Sequence, residues 1–163
     1  MRRAVIALSL MVTLSGCGDD NNTPASPSSP SPSPAASATP EPTIAVITAT
    51  CNPSLVPAVV PADPAFAWQI SWVLEVRESA GIAGRVNFLS VTIADQQVLV
   101  LDTAGVVALA GSNSVGARGA LQIPLTLLYN LPDGGRLANV TTTVNFTDAR
   151  GNVIVTSAQL RIV

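Results

Sequence analysis

Two thiols, Cys17 and Cys51, are the strongest nucleophiles in this chain, and nothing in the sequence stands ready to activate them. The 163 residues contain no His, and every one of the eight basic side chains is Arg. Without imidazole there is no Ser-His-Asp or Cys-His relay and no blue-copper site of the kind some β-sandwiches carry. The acids Asp95, Asp102, Asp133 and Asp148 all sit in turn-like sequence, where Asp commonly bonds the local backbone. A Ca²⁺ site would need those loops to converge, and no D-x-D-x-D spacing occurs. Glu75 and Glu78 would be the pair for glycoside hydrolysis. Their odd separation on a strand sends them to opposite faces, so both are expected at a solvated sheet edge. Ser114 lies in Gly111-Ser112-Asn113-Ser114-Val115-Gly116, which lacks the G-x-S-x-G spacing and a base. Gly116 to Gly119 is followed by neither Lys nor a helical pattern, so it is no phosphate loop.

These absences point to a chain that is not an enzyme and takes no cofactor and no metal. A hydrolase working with Ser and carboxylates alone is the remote alternative. The net charge is −2 and no basic run occurs, which argues against nucleic acid as a partner. The Asn139-Val140-Thr141 and Asn145-Phe146-Thr147 sequons fall within a strand pattern and are taken as chance.

The first residues are an address. Met1-Arg2-Arg3 is a positive n-region, and Ala4 to Leu14 is apolar apart from Ser9 and Thr13. That stretch falls well short of the ~20 residues a membrane span needs. Leu14-Ser15-Gly16-Cys17 follows directly. Small residues before a Cys, behind an h-region, resemble the lipobox of bacterial lipoproteins. The resemblance implies cleavage between Gly16 and Cys17, a diacylglycerol on the Cys17 thiol and an acyl chain such as palmitate on its new amino group. Arg2-Arg3 lacks the rest of a twin-arginine pattern. Gly18 follows the Cys, and the family's sorting rule then favours the outer membrane. The implied partner is a membrane, reached through the lipid on Cys17. Each buried CH₂ contributes about 0.8 kcal/mol, so several acyl chains hold where one is marginal.

Residues 17–42 are expected to be a disordered tether after the signal at 1–16. Pro24 to Pro42 contains seven Pro, six Ser and four Ala. Such a stretch cannot bury enough apolar surface to offset its ordering entropy. Extended as polyproline II at about 3.1 Å per residue, it would lift a domain well clear of a bilayer.

Residues 43–163 carry strand patterns throughout and are expected to form one all-β domain, an antiparallel sandwich of seven to eight strands. Trp68, Ile70, Trp72, Leu74 and Val76 share one face, against Gln69, Ser71, Glu75 and Arg77 on the other. The two Trp are expected side by side in the core. Arg85 to Ala94 is a strand whose apolar parity slips near Phe88-Leu89, as a β-bulge would cause. Thr43 to Thr50, Val98 to Leu101, Val106 to Ala110, Leu121 to Leu127, Val140 to Phe146 and Val153 to Val163 complete the set. Pro124 should turn its missing donor away from a neighbour. The segment from Val140 to Val163 resembles the closing hairpin of immunoglobulin-like and fibronectin type III-like bacterial domains. The paired Cys of that family is absent, because Cys51 has no mate, and Tyr129 precedes the turn rather than following it. A jelly roll or small barrel stays open.

Cys51 is expected to be a small half-hidden hydrophobe rather than a redox thiol. Val98 to Leu101 and Val106 to Ala110 are apolar on both parities. Either the Pro-rich 51–64 loop covers them or they present an apolar patch to a partner. The resulting expectation is an exported, lipid-anchored envelope protein, its domain in the periplasm or at the cell surface. There it would display a non-catalytic sandwich to an envelope protein or a glycan. An accessory subunit of a secretion or transport assembly is the alternative.

Overall fold

The computed structural model describes residues 40–132 and 134–163. Gly16, Cys17, most of the Pro-rich segment and Asp133 lie outside the described residues.

Period-two sequence becomes strand wherever one parity is apolar. β1 spans Ile47–Asn52, β2 Leu55–Val56, β3 Trp68–Glu78, β4 Gly84–Ile93 and β5 Gln96–Asp102. A helix, α1, spans Thr103–Ala110, and β6 (Ser114–Val115), β7 (Ala120–Tyr129), β8 (Asn139–Asp148) and β9 (Val153–Ile162) follow. They form two sheets. The smaller has the order β1-β3-β7, and the larger runs β2-β9-β8-β4-β5 with β6 also on β4. All ladders are antiparallel except the short β2–β9 pair. The chain is therefore an all-β sandwich, its core between the sheets.

Alternation decides what fills that core. β3 buries Ile70, Trp72, Leu74 and Val76, and β7, its neighbour in the same sheet, buries Leu121, Ile123, Leu125 and Leu127. The larger sheet answers with Val86, Leu89, Val91, Val144, Phe146 and Leu160. Each such side chain contributes about 1.5–3 kcal/mol on leaving water. Trp72 is buried, while Trp68, near the strand end, is half-buried. The expected bulge is present: the β4–β8 register shifts between Val86 and Phe88, which turns Phe88 outward and Leu89 inward. Pro124 sits on β7, an edge strand, opposite Val73.

Three expectations are corrected. First, Thr103–Ala110 is helix, so Val106 to Ala110 is not a strand. Asp102 caps it, its carboxylate accepting Gly105 N at 2.9 Å, and Gly111 at φ 75° closes it with an amide bonded to Val107 O. Sequence that is apolar on both parities suits a short helix wedged between sheet edges, and Val106 is its buried residue. Second, the Pro-rich 51–64 loop does not cover β5. Its β2 lies on β9, at the opposite edge of the larger sheet. Third, the first strand starts at Ile47 rather than Thr43. Ala45 and Val46 instead give their amides to side chains of neighbouring strands.

One end of the sandwich gathers the start of β1, the β3–β4 turn, the loop before β7 and the β8–β9 hairpin. Gly84 lies in it, beginning β4. A Cβ there would collide with the Phe146 ring and the Thr147 carbonyl, so only glycine allows this approach of β4 to β8.

Candidate functional site

The residues singled out for chemistry do not converge. Asp95 is in the β4–β5 turn, Asp102 ends the edge strand β5 and caps α1, and Asp148 ends β8. Ser114 belongs to β6, its amide donating to Ser112 Oγ at 3.0 Å. Asn113 is a brace in that loop, exchanging bonds with β4: Val86 N donates to Asn113 O and Asn113 Nδ2 to Val86 O. Among the described residues no group of three or more His, Cys, Asp or Glu side chains is placed to hold a metal ion.

Glu75 and Glu78 part as strand parity requires. Glu75 faces outward and pairs with Arg77 at 3.0 Å, a partly solvated ion pair of little energetic weight. Glu78 overturns the expectation of a solvated edge: it is 1% exposed. Its Oε1 accepts Ala80 N at 2.7 Å and Val46 N at 3.4 Å, and its Oε2 accepts Arg118 N at 2.8 Å and Gly81 N at 2.9 Å. The sequence held the signal, since Glu78 continues the buried parity of Ile70, Trp72, Leu74 and Val76. Burial pushes its pKa up, but the hydrogen bonds donated by Arg118, Gly81, Ala80 and Ile82 amides outweigh it and hold the carboxyl below its ordinary value.

Asp148 is the counterpart in the other sheet. Its Oδ1 accepts the amides of Arg150 (2.9 Å) and Asn152 (2.8 Å), and its Oδ2 accepts Asn152 Nδ2 (2.9 Å) and Ala45 N (3.2 Å). Burial again acts upward, and the bonds from Asn152, Ala45 and Arg150 win, leaving the pKa lowered. Both acids therefore serve as structural acceptors. Neither has a free oxygen aimed at a cleft.

Cys51 is half-buried on β1. Burial pushes its thiol pKa up, and the side chains of Thr142 and Trp72 offset this only in part. Thr142 Oγ1 and Trp72 Nε1 are buried without a hydrogen bond of good geometry. A thiol with a raised pKa is a poor nucleophile at neutral pH.

What stands out on the surface is apolar rather than reactive. Val98 and Val100 on β5 and Val107 and Leu109 on α1 are exposed. Beneath them a groove of ≈ 520 Å³ is lined by Leu99, Leu101, Leu109 and Leu125 among others. Of the two readings the sequence offered for these residues, the cover by the 51–64 loop is ruled out, because the fold carries that loop to the opposite edge. Among the described residues no helix is long and apolar enough to cross a membrane.

The architecture defines the class: a two-sheet, all-β sandwich with, among the described residues, one short helix at an open side. No protein family and no curated protein matches the chain. Solved structures do. A structural-genomics target determined by X-ray crystallography matches with TM-score 0.51 and 12% identity, over 71% of this chain and 84% of that one. A Bordetella pertussis protein described as ApaA matches with TM-score 0.50 and 12% identity, over 72% of this chain and 92% of that one. A CARDB domain from Pyrococcus furiosus, solved with di-metal ions, is similar at TM-score 0.43 and 14% identity, over 77% of this chain and 96% of that one. At 12% identity the first two likenesses are of fold alone.

Proposed function

We propose that this protein is a lipid-anchored envelope lipoprotein whose sandwich is a non-catalytic module for binding or structural support. The observation that carries the reading is Leu14-Ser15-Gly16-Cys17 placed directly behind Arg2-Arg3 and the apolar Ala4 to Leu14 stretch. Cleavage falls between Gly16 and Cys17, and acyl chains on Cys17 hold the protein at the membrane, the outer membrane by the family's sorting rule. The Pro-rich segment then spaces the domain from the bilayer. The absence of imidazole in the sequence and the structural use of Glu78 and Asp148 support a role exercised by surface rather than by catalysis.

The test is Cys17→Ala in cells, with fractionation and a clickable palmitate label. Label incorporation and membrane retention in the wild type, both lost in the variant, are the expected result. Unlabelled wild type, or a variant that stays in the membrane, refutes the anchor. A second reading, an accessory subunit of an envelope secretion or transport assembly, is favoured by the exposed Val98, Val100, Val107 and Leu109. Crosslinked pulldown from native membranes tests it, and a chain recovered without a reproducible partner refutes it.

A further inference from the structure

The bulge in β4 skips Asn87 in the ladder with β8, so Asn87 and Phe88 both lie on the outer face of the larger sheet, in line with Arg85. Phe88, at 37%, is the most exposed aromatic side chain among the described residues. Its cross-strand neighbour on β8 is Asn145. Asn87 fixes that neighbour. Its Nδ2 donates to Asn145 Oδ1 at 3.2 Å and to Thr147 Oγ1 at 2.6 Å, and its backbone carbonyl accepts Thr103 Oγ1 at 3.1 Å. Asn145 Nδ2 and Asn87 Oδ1 are left as a donor and an acceptor without a protein partner. Toward the start of β4 a cavity of ≈ 580 Å³ opens, lined by Arg85, Asn87, Ser114 and Thr147 over a floor of Gly84 and Gly116. Among the described residues the Arg ion pairs are Arg77 with Glu75 and Arg150 with Glu41, so the Arg85 guanidinium is unpaired. The acid in the cavity wall, Asp148, is 4% exposed, and both its oxygens already accept hydrogen bonds.

We propose that this face binds a carboxylate-bearing glycan, with a sugar ring on Phe88, its hydroxyl or acetamido groups at Asn145 and Asn87, and its carboxylate in the cavity at Arg85. The proposal deepens the reading of the sandwich as a binding module and rests on it, but not on the lipid anchor. The face of an aromatic ring carries partial negative charge, which suits the C–H groups on the apolar side of a sugar. Hydroxyls both donate and accept, so they match a fixed amide donor beside an amide acceptor. A few polar groups placed in this way fix the orientation of a ligand in a concave site. Charge complementarity selects the acidic sugar, because an unpaired guanidinium fork takes a carboxylate by two parallel hydrogen bonds. Arg85 and Phe88 are about 10 Å apart along β4, a span that two linked sugars cover. A peptide is the poorer occupant. β4 lies between β8 and β5, so its backbone is engaged in ladders on both sides and offers no edge to an added strand.

The experiment uses the full chain in detergent and isothermal titration calorimetry. The probes are two acidic disaccharides, N-acetylglucosaminyl-N-acetylmuramic acid and digalacturonic acid, with chitobiose and galactobiose as their neutral counterparts. At least one acidic sugar should bind, and its neutral counterpart should bind about tenfold more weakly or worse. Arg85→Gln should bring the acidic sugar down to the level of the neutral one. Phe88→Ala should weaken both by about tenfold or more while leaving the far-ultraviolet circular dichroism intact. Gln159→Ala, exposed on β9 of the same sheet, should bind as the wild type does. A wild-type chain that binds neither acidic sugar at millimolar concentration overturns the proposal. So does equal affinity for acidic and neutral sugars, full binding by Phe88→Ala, or an equal loss in Gln159→Ala. Competition by acetyl-dialanine, a peptide carboxylate, overturns the glycan as occupant. A chain that binds no sugar yet yields a reproducible crosslinked protein partner fails here and remains a binding module, so the two failures read apart.

Discussion

Glu78 and Asp148, one from each sheet, bind adjacent backbone amides: Val46 N reaches Glu78 Oε1 at 3.4 Å and Ala45 N reaches Asp148 Oδ2 at 3.2 Å. The segment that enters β1 is thereby tied to β3 of the smaller sheet and to the β8–β9 hairpin of the larger. Each carboxylate also binds its own turn, Glu78 at Ala80 and Gly81 and Asp148 at Arg150 and Asn152, and Glu78 takes the Arg118 amide from the loop before β7 as well. Acceptor-only groups suit this role, since every neighbour is a donor.

That clasp sets the protein's acid sensitivity. Both carboxyls titrate below their ordinary values in the folded state, so the unfolded chain binds protons more readily. Their stabilisation is complete above the unfolded range, about pH 4, and is lost as pH falls through the folded values. With no His, no other side chain of ordinary pKa titrates between pH 5 and 8, so the melting temperature should stay flat there and drop on the acid side. Glu78→Gln with Asp148→Asn should melt lower at pH 7 and show a shallower acid slope. Thermal melts from pH 2 to 8 check this, and an unchanged slope in the double variant would contradict it.

Asp102→Ala removes the cap of α1. The lost bond to Gly105 N should cost about 0.5–2 kcal/mol. Because α1 packs on β4, β5 and β7, denaturant unfolding should report the loss as a lower midpoint with unchanged slope. Asp102→Asn, which keeps an acceptor oxygen, should recover most of it.

Gly84→Ala forces a methyl group against the Phe146 ring and the Thr147 carbonyl. Overpacking here should cost about 1–3 kcal/mol. Gly116→Ala is the control, because a Cβ there meets nothing within 4 Å. Equal melting temperatures for the two variants would show that β4 can draw away from β8.

Cys51 should react slowly with iodoacetamide in the native state near pH 7, and faster in denaturant or well above pH 9, because burial raises its pKa. Mass spectrometry of a time course measures this directly. Rapid native labelling would show that β1 opens at its Cys51 end.

Side-chain alternation in the sequence determined most of the strands, since burying one face of a strand demands period two and the core is built from that demand. It placed Ile70 to Val76 inward, found the slip at Phe88-Leu89 and put Pro124 where a missing donor is harmless. The same alternation, carried two residues past Val76, marks Glu78 as buried. A carboxylate is buried only where donors meet it, and only the tertiary fold brings the Arg118 amide, 40 positions away in the chain, to satisfy this one. The helix at Thr103–Ala110 was hidden because residues apolar on both parities carry no period, and the space between β4 and β7 decides what fills it. Which edge the Pro-rich loop covers was likewise a matter of topology: by composition it could have covered β5, but pairing of β2 with β9 carries it to the far edge. The proposed export signal and anchor rest on the order of residues 1–17 in the sequence alone, because the chemistry they would use is local along the chain.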